Sequence, residues 1–492
     1  MNEKAPEVGN QRQAGAERLG LAAVRGSLWI SISTAISVGV QALSMIILAR
    51  MLAPADFGLF AMLMVFAGLL RAVADFGVGN AIIQHQTATQ TQLSSMYWLS
   101  IAGGVALCAL FIAISPLAAA FYHQPAINAL APWIAATFLL APLGSQFGSL
   151  LQRDLRNARI AVVEISANCA GLGAAIWLAW RGAGALALVG QLLAVSAVRS
   201  AMQIVLGRRA WRPDIHFSPA GLRPLLSFSG FQSGERIANF IAANADYFVI
   251  GRFCGAGALG FYKMAFDIIT LPLRFVNPIG NQVMFPAFAR KQNDTAVITR
   301  AFLKVARGSG WAAFPFYAAC AAVSGLLVRA ICGAGWTESA VLLALMVPMG
   351  IAKFISVPSA IIALAKGMVK IGFKWNCIAA LCNMALFPIA AYWQGARGVA
   401  AVFSILSIAY VVLSCRDFIG KTIGLRASAY LAEIGKPLTA ACIAGIAAWL
   451  AAWGLHLAGI GGLWAQAAPA CACGLIFYAG LAWAWGRRKA KG

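Results

Sequence analysis

Charged side chains are scarce in this 492-residue chain, and acidic ones are the scarcest. Asp, Glu, Lys and Arg together make up 11% of the residues, and only 15 residues are acidic. Soluble globular domains carry a charge on about a quarter of their residues. Together with 61% hydrophobic residues and a mean hydropathy of +0.79, this shortage excludes a soluble protein.

The sequence also lacks the patterns of a metal centre or a catalytic triad. Eleven cysteines are scattered through apolar segments and no CxxC pair occurs. None of the four histidines has both an acid and a nucleophile beside it in the sequence. We therefore predict no enzyme, no metal and no cofactor, and we interpret the thiols as packing residues.

What the chain does contain is a series of apolar runs of roughly 20 residues, which is the length of a helix that crosses a bilayer. The runs lack the alternation of barrel strands, so each predicts a helix. No loop is long enough for a soluble domain, and the polar segment before the first run shows no signal-peptide pattern. The fourteen predicted spans are 27–49, 57–79, 96–119, 128–150, 159–180, 183–206, 227–250, 257–280, 304–328, 339–363, 371–393, 398–415, 437–456 and 463–485.

Basic residues are unevenly distributed along this series. Of the 38 Lys and Arg residues, 27 lie in the two terminal segments and alternate loops, 5 lie in the loops on the opposite side, and 6 lie within spans. Lys and Arg accumulate on the cytoplasmic side of membrane proteins, so both termini are predicted to be cytoplasmic. The same rule accounts for the net charge of +23 without nucleic acid, which we exclude as a partner.

One stretch of the chain occurs in two similar copies. The segment IILARMLAPADFGLFAM contains Arg50, and the similar segment FVIGRFCGAGALGFYKM contains Arg252. In both copies a glycine follows the arginine at the same spacing, and an asparagine follows later, Asn80 in the first copy and Asn281 in the second, with spacings that differ by a single position. Both copies follow a span that starts inside, so we predict two parallel halves in which these residues superpose, with a substrate site between the halves.

The predicted fold class is therefore all-α, a polytopic membrane protein of about 14 transmembrane helices arranged as two six-helix bundles and two further C-terminal helices. The predicted regions are a cytoplasmic segment 1–26, a bundle 27–206, a basic linker 207–226, a second bundle 227–415, a linker 416–436, two extra helices 437–485 and a basic tail 486–492.

Several segments resemble the signatures of a known family. ARMLAPADFGLFAMLMVF, ADFGVGNAIIQ, FYHQPAI, LLQRDLRNARIAVVE and IGRFCGAGALGFYKMAFDIITLPLRFVNPIGNQVMFPAFARKQ look like those of Wzx-type polysaccharide flippases. The resemblance is closest to the colanic-acid-exporter branch, in the superfamily that also holds MATE antiporters and lipid II flippases. It covers residues 20–420, and the last two helices match only in being hydrophobic.

The resemblance implies a V-shaped pair of six-helix bundles in a bacterial inner membrane. Its members move undecaprenyl-diphosphate-linked oligosaccharide from the cytoplasmic to the periplasmic leaflet for exopolysaccharide, capsule or lipopolysaccharide synthesis. The implied partners are this lipid-linked saccharide, the lipid bilayer, a polysaccharide polymerase and a chain-length regulator.

Charged residues inside the spans are the candidate site. A charge in mid-bilayer costs at least ~2.5–3.5 kcal/mol, so it usually faces a wet cavity or a partner. Arg236, Arg274 and Lys353 lack an acid four residues further on, and we predict that they hold the diphosphate or acidic sugars of the cargo. Arg71 and Lys263 are paired in sequence with an acid at i+4, so they either bind cargo or form neutral ion pairs.

Two acids and three further arginines complete the set. Glu164 and Asp246 are candidates for proton or ion coupling, because burial can raise the pKa of a carboxylate into the working range. Arg50, Arg199 and Arg252 lie near span ends, where long cationic side chains usually extend to the headgroups.

Two alternative functions remain open. A MATE-like exporter of small cations would need an acidic cavity, and the count of six cations to five acids inside the spans leaves the sign of the cavity undecided. A membrane-embedded polymerase or ligase would need a catalytic outer loop, and the longest predicted outer loops, 119–128 and 328–339, are too short for one.

Overall fold

The computed structural model describes residues 29, 32–74, 89–154, 156–209, 211–215, 229–280, 284–285, 288, 294–420, 423–458 and 462–490. Every regular element in these ranges is helical, which confirms the all-α class. The thirteen helices found there are α1 (Ile32–Met51), α2 (Pro54–Ala74), α3 (Gln90–Tyr122), α4 (Ala126–Arg153), α5 (Asn157–Trp180), α6 (Leu186–Gly207), α7 (Ser229–Ile269), α8 (Leu271–Ile279), α9 (Thr295–Cys332), α10 (Thr337–Ala365), α11 (Val369–Ser414), α12 (Ala427–Leu457) and α13 (Leu463–Ala490).

Helix α7 folds back on itself and contains most of the predicted span 227–250 and the first half of the predicted span 257–280, which continues into α8. Its backbone leaves the helical region at Gly255, where φ is 81°, a value that glycine adopts without strain. The Tyr262 hydroxyl donates a hydrogen bond of 2.7 Å to the Asp246 carboxylate. Sixteen residues of straight helix would separate these groups by about 24 Å, so the two arms of α7 run antiparallel.

Helix α11 is a second hairpin of the same kind, and it contains the predicted spans 371–393 and 398–415. The reversal is at Gly395, where φ is 59°, and the rings of Phe387 and Phe403 meet across it at 5.4 Å between centroids. Eleven of the helices in the described ranges are long and apolar enough to cross a membrane. The predicted number of fourteen is therefore not confirmed: α11 counts as one helix although two spans were predicted in it, and α7 is not among the eleven.

The chain divides into two compact units. The first consists of Met1–Met45, Leu70–Ala119 and Pro125–Gly234. In it α6 packs against α4 and α5. Its aromatic core contains Tyr97, Phe147 and Trp211, with ring centroids 5.3–6.0 Å apart.

The second unit consists of Ile46–Leu69, Ala120–Gln124 and Glu235–Gly492. In it α9 packs against α10, α12 and α13, and α10 packs against α11. The last two helices, which the sequence left without a role, therefore pack on the core of this unit. The predicted domain boundaries stay a prediction.

The two copies of the repeated motif contact each other directly within the second unit. A Cβ atom on Gly58 would lie 1.8 Å from the carbonyl oxygen of Ala256, and one on Gly260 would lie 1.7 Å from that of Pro54. Gly58 contacts Ala256, which lies four residues before Gly260, and Gly260 contacts Pro54, which lies four residues before Gly58. The two contacts are therefore reciprocal. Glycine permits this approach of two backbones because it has no side chain. We call this contact the glycine clasp.

The arginines of the motif cap helix ends beside the glycine clasp. Arg50 donates through Nε to the carbonyl oxygen of Ile331 at 3.0 Å and through Nη2 to that of Ala330. These carbonyls belong to the last turn of α9, where a helix leaves its acceptors unsatisfied. Arg252 donates to Nδ1 of His123, the residue after α3, at 3.0 Å.

Arg50 and Arg252 thus donate hydrogen bonds to the protein while staying exposed, and the prediction that they extend to lipid headgroups stays a prediction. The predicted superposition of the repeats stays a prediction, and Asn80 and Asn281 lie outside the described residues.

Candidate functional site

Two of the predicted cargo-binding cations share one acid in the second unit. Lys263 Nζ lies 2.6 Å from one carboxylate oxygen of Asp267, and Arg274 Nη2 lies 2.7 Å from the other. The i,i+4 pairing of Lys263 with Asp267 is thereby confirmed. Arg274 has no acid four residues further on, but it pairs with one seven residues back, because seven residues make almost two full helical turns and return to the same face.

This cluster keeps a positive charge and unused donors. Two cations on one carboxylate give a net charge of +1. The side chain of Arg274 is 37% exposed, compared with 18% for Lys263. A guanidinium has five N–H donors, and Asp267 accepts from one of its nitrogens, so the others can bind an anion while the ion pair stays intact.

Lys353 on α10 lies between two aromatic rings. Its ammonium is 4.8 Å from the centroid of Phe266 and 4.7 Å from that of Phe403. It also attracts the carboxylate of Asp246 electrostatically. Lys353 has no acid four residues further on, and the acid that attracts it is on α7 and distant in sequence. Stacking on the two ring faces holds the cation in place.

Asp246 is a buried carboxylate with an incomplete set of hydrogen bonds. Asp246 is 1% exposed. Its Oδ2 accepts a hydrogen bond from the Tyr262 hydroxyl, and its Oδ1 has no hydrogen-bond partner among the described residues. Asn383 on α11 donates to the carbonyl of Ala242, one turn before Asp246, and its own Oδ1 is also without a described partner. Unpaired buried oxygens are costly, so Asp246 and Asn383 are candidates for a functional role. The sequence analysis did not identify Asn383. The signal that could have identified it is an asparagine within an apolar run.

Glu164 is paired in the first unit. Its carboxylate lies 2.7 Å from Nη2 of Arg199, which joins α5 to α6. Asn168, one turn further along α5, donates to the Glu164 carbonyl and accepts from Gln41 on α1 at 3.3 Å. Arg199 is therefore ion-paired, and both its role as a headgroup anchor and the coupling role of Glu164 stay predictions.

The remaining two candidates are only partly placed. Arg71 on α2 donates to the hydroxyl of Thr137 at 3.2 Å and stacks on the ring of Phe138 at 5.1 Å. Its predicted sequence partner, Asp75, lies outside the described residues. The backbone of Arg236 belongs to α7, and its side chain is also outside the described part.

These features define a class. Helices of membrane-spanning length, glycine-closed hairpins and ion pairs buried in apolar helices are typical of a polytopic membrane transport protein. The fold is that of a solved structure of the lipid II flippase MurJ in an inward closed conformation, with a TM-score of 0.74 and 13% sequence identity. The match covers 95% of this chain and 100% of that one.

The sequence identifies the family within this class. The family described as polysaccharide biosynthesis protein matches residues 47–341. The teichuronic acid biosynthesis protein TuaB of Bacillus subtilis is 32% identical over 426 residues, which are 86% of this chain and 88% of TuaB. The lipopolysaccharide biosynthesis protein WzxC of Escherichia coli is 30% identical over 414 residues, 84% of each chain. The chain belongs to this polysaccharide biosynthesis family, which confirms its resemblance to Wzx-type flippases.

Family membership also decides between the classes of function. The relatives are proteins of polysaccharide synthesis, so a role in that synthesis is favoured over a MATE-like exporter of small cations.

Proposed function

We propose that this protein carries an undecaprenyl-diphosphate-linked oligosaccharide from the cytoplasmic to the periplasmic leaflet of a bacterial inner membrane, with both termini in the cytoplasm. The names of TuaB and WzxC refer to the synthesis of teichuronic acid and lipopolysaccharide, and that of MurJ to lipid II. A polysaccharide polymerase and a chain-length regulator are the partners that would use such a product.

The observation that carries the proposal is the positive cluster formed by Lys263, Asp267 and Arg274. It lies on α7 and α8 in apolar surroundings, where an uncompensated charge costs at least ~2.5–3.5 kcal/mol. A cargo with two phosphates would neutralise it. The planar fork of Arg274 fits a phosphate with two parallel hydrogen bonds, which a lysine cannot form.

Exposed aromatic residues lie where three of the predicted spans leave the bilayer. Trp180 is 76% exposed, Tyr392 83% and Trp393 78%, and all three lie at ends of helices that the charge distribution predicts to be periplasmic. Trp and Tyr are enriched at membrane–water interfaces, so these residues are suited to the outer boundary of the bilayer.

Polysaccharide export in a cell that lacks its own copy of the protein tests the proposal. We expect Arg274→Ala to reduce export at an unchanged protein level and Arg274→Lys to restore it only in part. Arg300→Ala is a matched control, because this exposed arginine contacts a carbonyl of its own helix. Normal export by the triple alanine variant of Arg236, Arg274 and Lys353 would contradict the cationic site. Lys353→Met, which keeps a long chain between the two rings, separates loss of charge from loss of packing.

A further inference from the structure

A cavity of about 520 Å³ opens on the second unit, away from the charged cluster of α7 and α8. It lies where α1 and α9 end and where α2, α10 and α13 begin. Arg50 and Arg329 are the charged residues that line it, and no acid belongs to its described lining. The charge distribution predicts that this end of the unit is periplasmic.

Both arginines have donors to spare. Arg50 uses Nε and one terminal nitrogen on the carbonyls that end α9, which leaves further N–H groups free. Arg329 is exposed on the last turn of α9 and makes no ion pair with a described residue. The acid that follows it in sequence, Glu338, is held by Arg397 through two hydrogen bonds of 2.6 and 2.7 Å. The cavity therefore has a charge of about +2, one from each guanidinium.

The backbone of the cavity wall adds donors. After Gly333 the chain makes a 3-10 turn, Ala334–Trp336, that leads into α10. Neither the turn nor α10 has a side chain that caps its first N–H groups. Such groups, with the positive end of the helix dipole, attract anions. A Cβ atom on Gly335 would meet nothing within 4 Å, so this backbone is not covered.

The repeat supplies an internal comparison. His123 follows α3 as Gly333 follows α9, and both have a left-handed backbone, with φ of 54° and 99°. Around the twin arginine, Arg252, the imidazole of His123 takes the hydrogen bond and Ala119 stands at the position of Arg329. The second arginine is therefore particular to the Arg50 side and is not required by the glycine clasp.

We propose that the cavity bounded by Arg50, Arg329 and the Ala334–Trp336 turn binds a phosphate-bearing lipid headgroup. Two guanidinium groups match a phosphate or diphosphate, and Leu463 at the start of α13 supplies an apolar edge next to the headgroup. The phosphate has two possible sources, the cargo after translocation, which rests on the proposed function, or an anionic phospholipid of the same leaflet.

Binding to the purified full-length protein in neutral detergent tests the proposal. Inorganic pyrophosphate and short-chain phosphatidylglycerol are the two probes, measured by isothermal titration calorimetry. We expect at least one probe to bind and Arg329→Ala to weaken it about tenfold or more, because one of two charged contacts is lost. Arg181→Ala is the matched control, an exposed arginine at a predicted outer loop that stacks on Trp177.

A second variant keeps both charges. Gly335→Phe points a ring into the cavity and should abolish binding by filling it, while thermal unfolding checks that the protein is intact. Pyrophosphate binding that competes with phosphatidylglycerol assigns the site to a headgroup phosphate of either source. Phosphatidylglycerol binding without pyrophosphate binding assigns it to the phospholipid. Absence of binding by both probes, or binding that Arg329→Ala and Gly335→Phe leave unchanged, would overturn the proposal, and neither result depends on export.

Discussion

The glycine clasp allows a test of the packing that joins the two copies of the repeat. We expect Gly58→Ala and Gly260→Ala to destabilise the protein severely. The added Cβ atoms would lie 1.8 Å and 1.7 Å from carbonyl oxygens, whereas real Cβ contacts essentially never fall below 3.0 Å. The helices that carry these residues would therefore have to move apart to accommodate either side chain.

The size of the effect follows from what must move. Extra methylene groups in a packed core usually cost about 1–3 kcal/mol when side chains can adjust. Here the obstacle is backbone, which cannot rotate away, so we expect a loss of about 3 kcal/mol or more for each variant. Gly257→Ala is a matched control, since its Cβ meets nothing within 4 Å. Relief of the helical cost of glycine should make it neutral or stabilising by up to about 1 kcal/mol.

Gly68 provides an intermediate case in the same unit. Its added Cβ would lie 2.5 Å from the ring of Phe240, a side chain that can turn aside. Thermal unfolding can be followed by a thiol-reactive dye as the signal that rises above the reaction of the exposed Cys169 and Cys442, because Cys320 and Cys332 are buried until the protein opens. The expected order of melting temperature, from highest to lowest, is Gly257→Ala, then Gly68→Ala, then the two clasp variants. Equal melting of the clasp variants and Gly257→Ala would refute the reasoning.

Two further predictions concern Glu164 and Asp246. Glu164→Leu leaves Arg199 uncompensated among apolar helices, so it should destabilise the protein. Breaking a fully buried pair costs about 3–5 kcal/mol, and we expect a smaller loss here because both side chains are about one third exposed. Adding Arg199→Leu should recover most of the loss in the same unfolding assay, and a simple sum of the two single losses would show that the pair is not coupled. Asp246→Asn should abolish the dependence of export on an ion gradient and spare cargo binding, because it removes the charge and keeps the shape. Gradient-dependent export by this variant in vesicles would rule out Asp246 as the coupling acid.

Local sequence determined the helices and their places. The cost of unpaired backbone in lipid leaves an apolar run no alternative to a helix, so the fold class followed from composition and run length. The Lys263–Asp267 pair was equally accessible, because four residues on a helix are always neighbours. The family was accessible through contiguous segments such as the one around Arg50, since similarity is carried by order along the chain.

Tertiary structure decided the contacts that make the site. Glu164 and Arg199 lie on different helices, as do Asp246 and Lys353, and no sequence periodicity relates residues on separate helices. The pairing of Arg274 with Asp267 required a seven-residue return along one face, which a search at four residues does not examine. The reason for the repeat could likewise not be deduced from the sequence alone. Gly58 and Gly260 are needed because two backbones touch, and that contact exists only once α2 and α7 pack against each other.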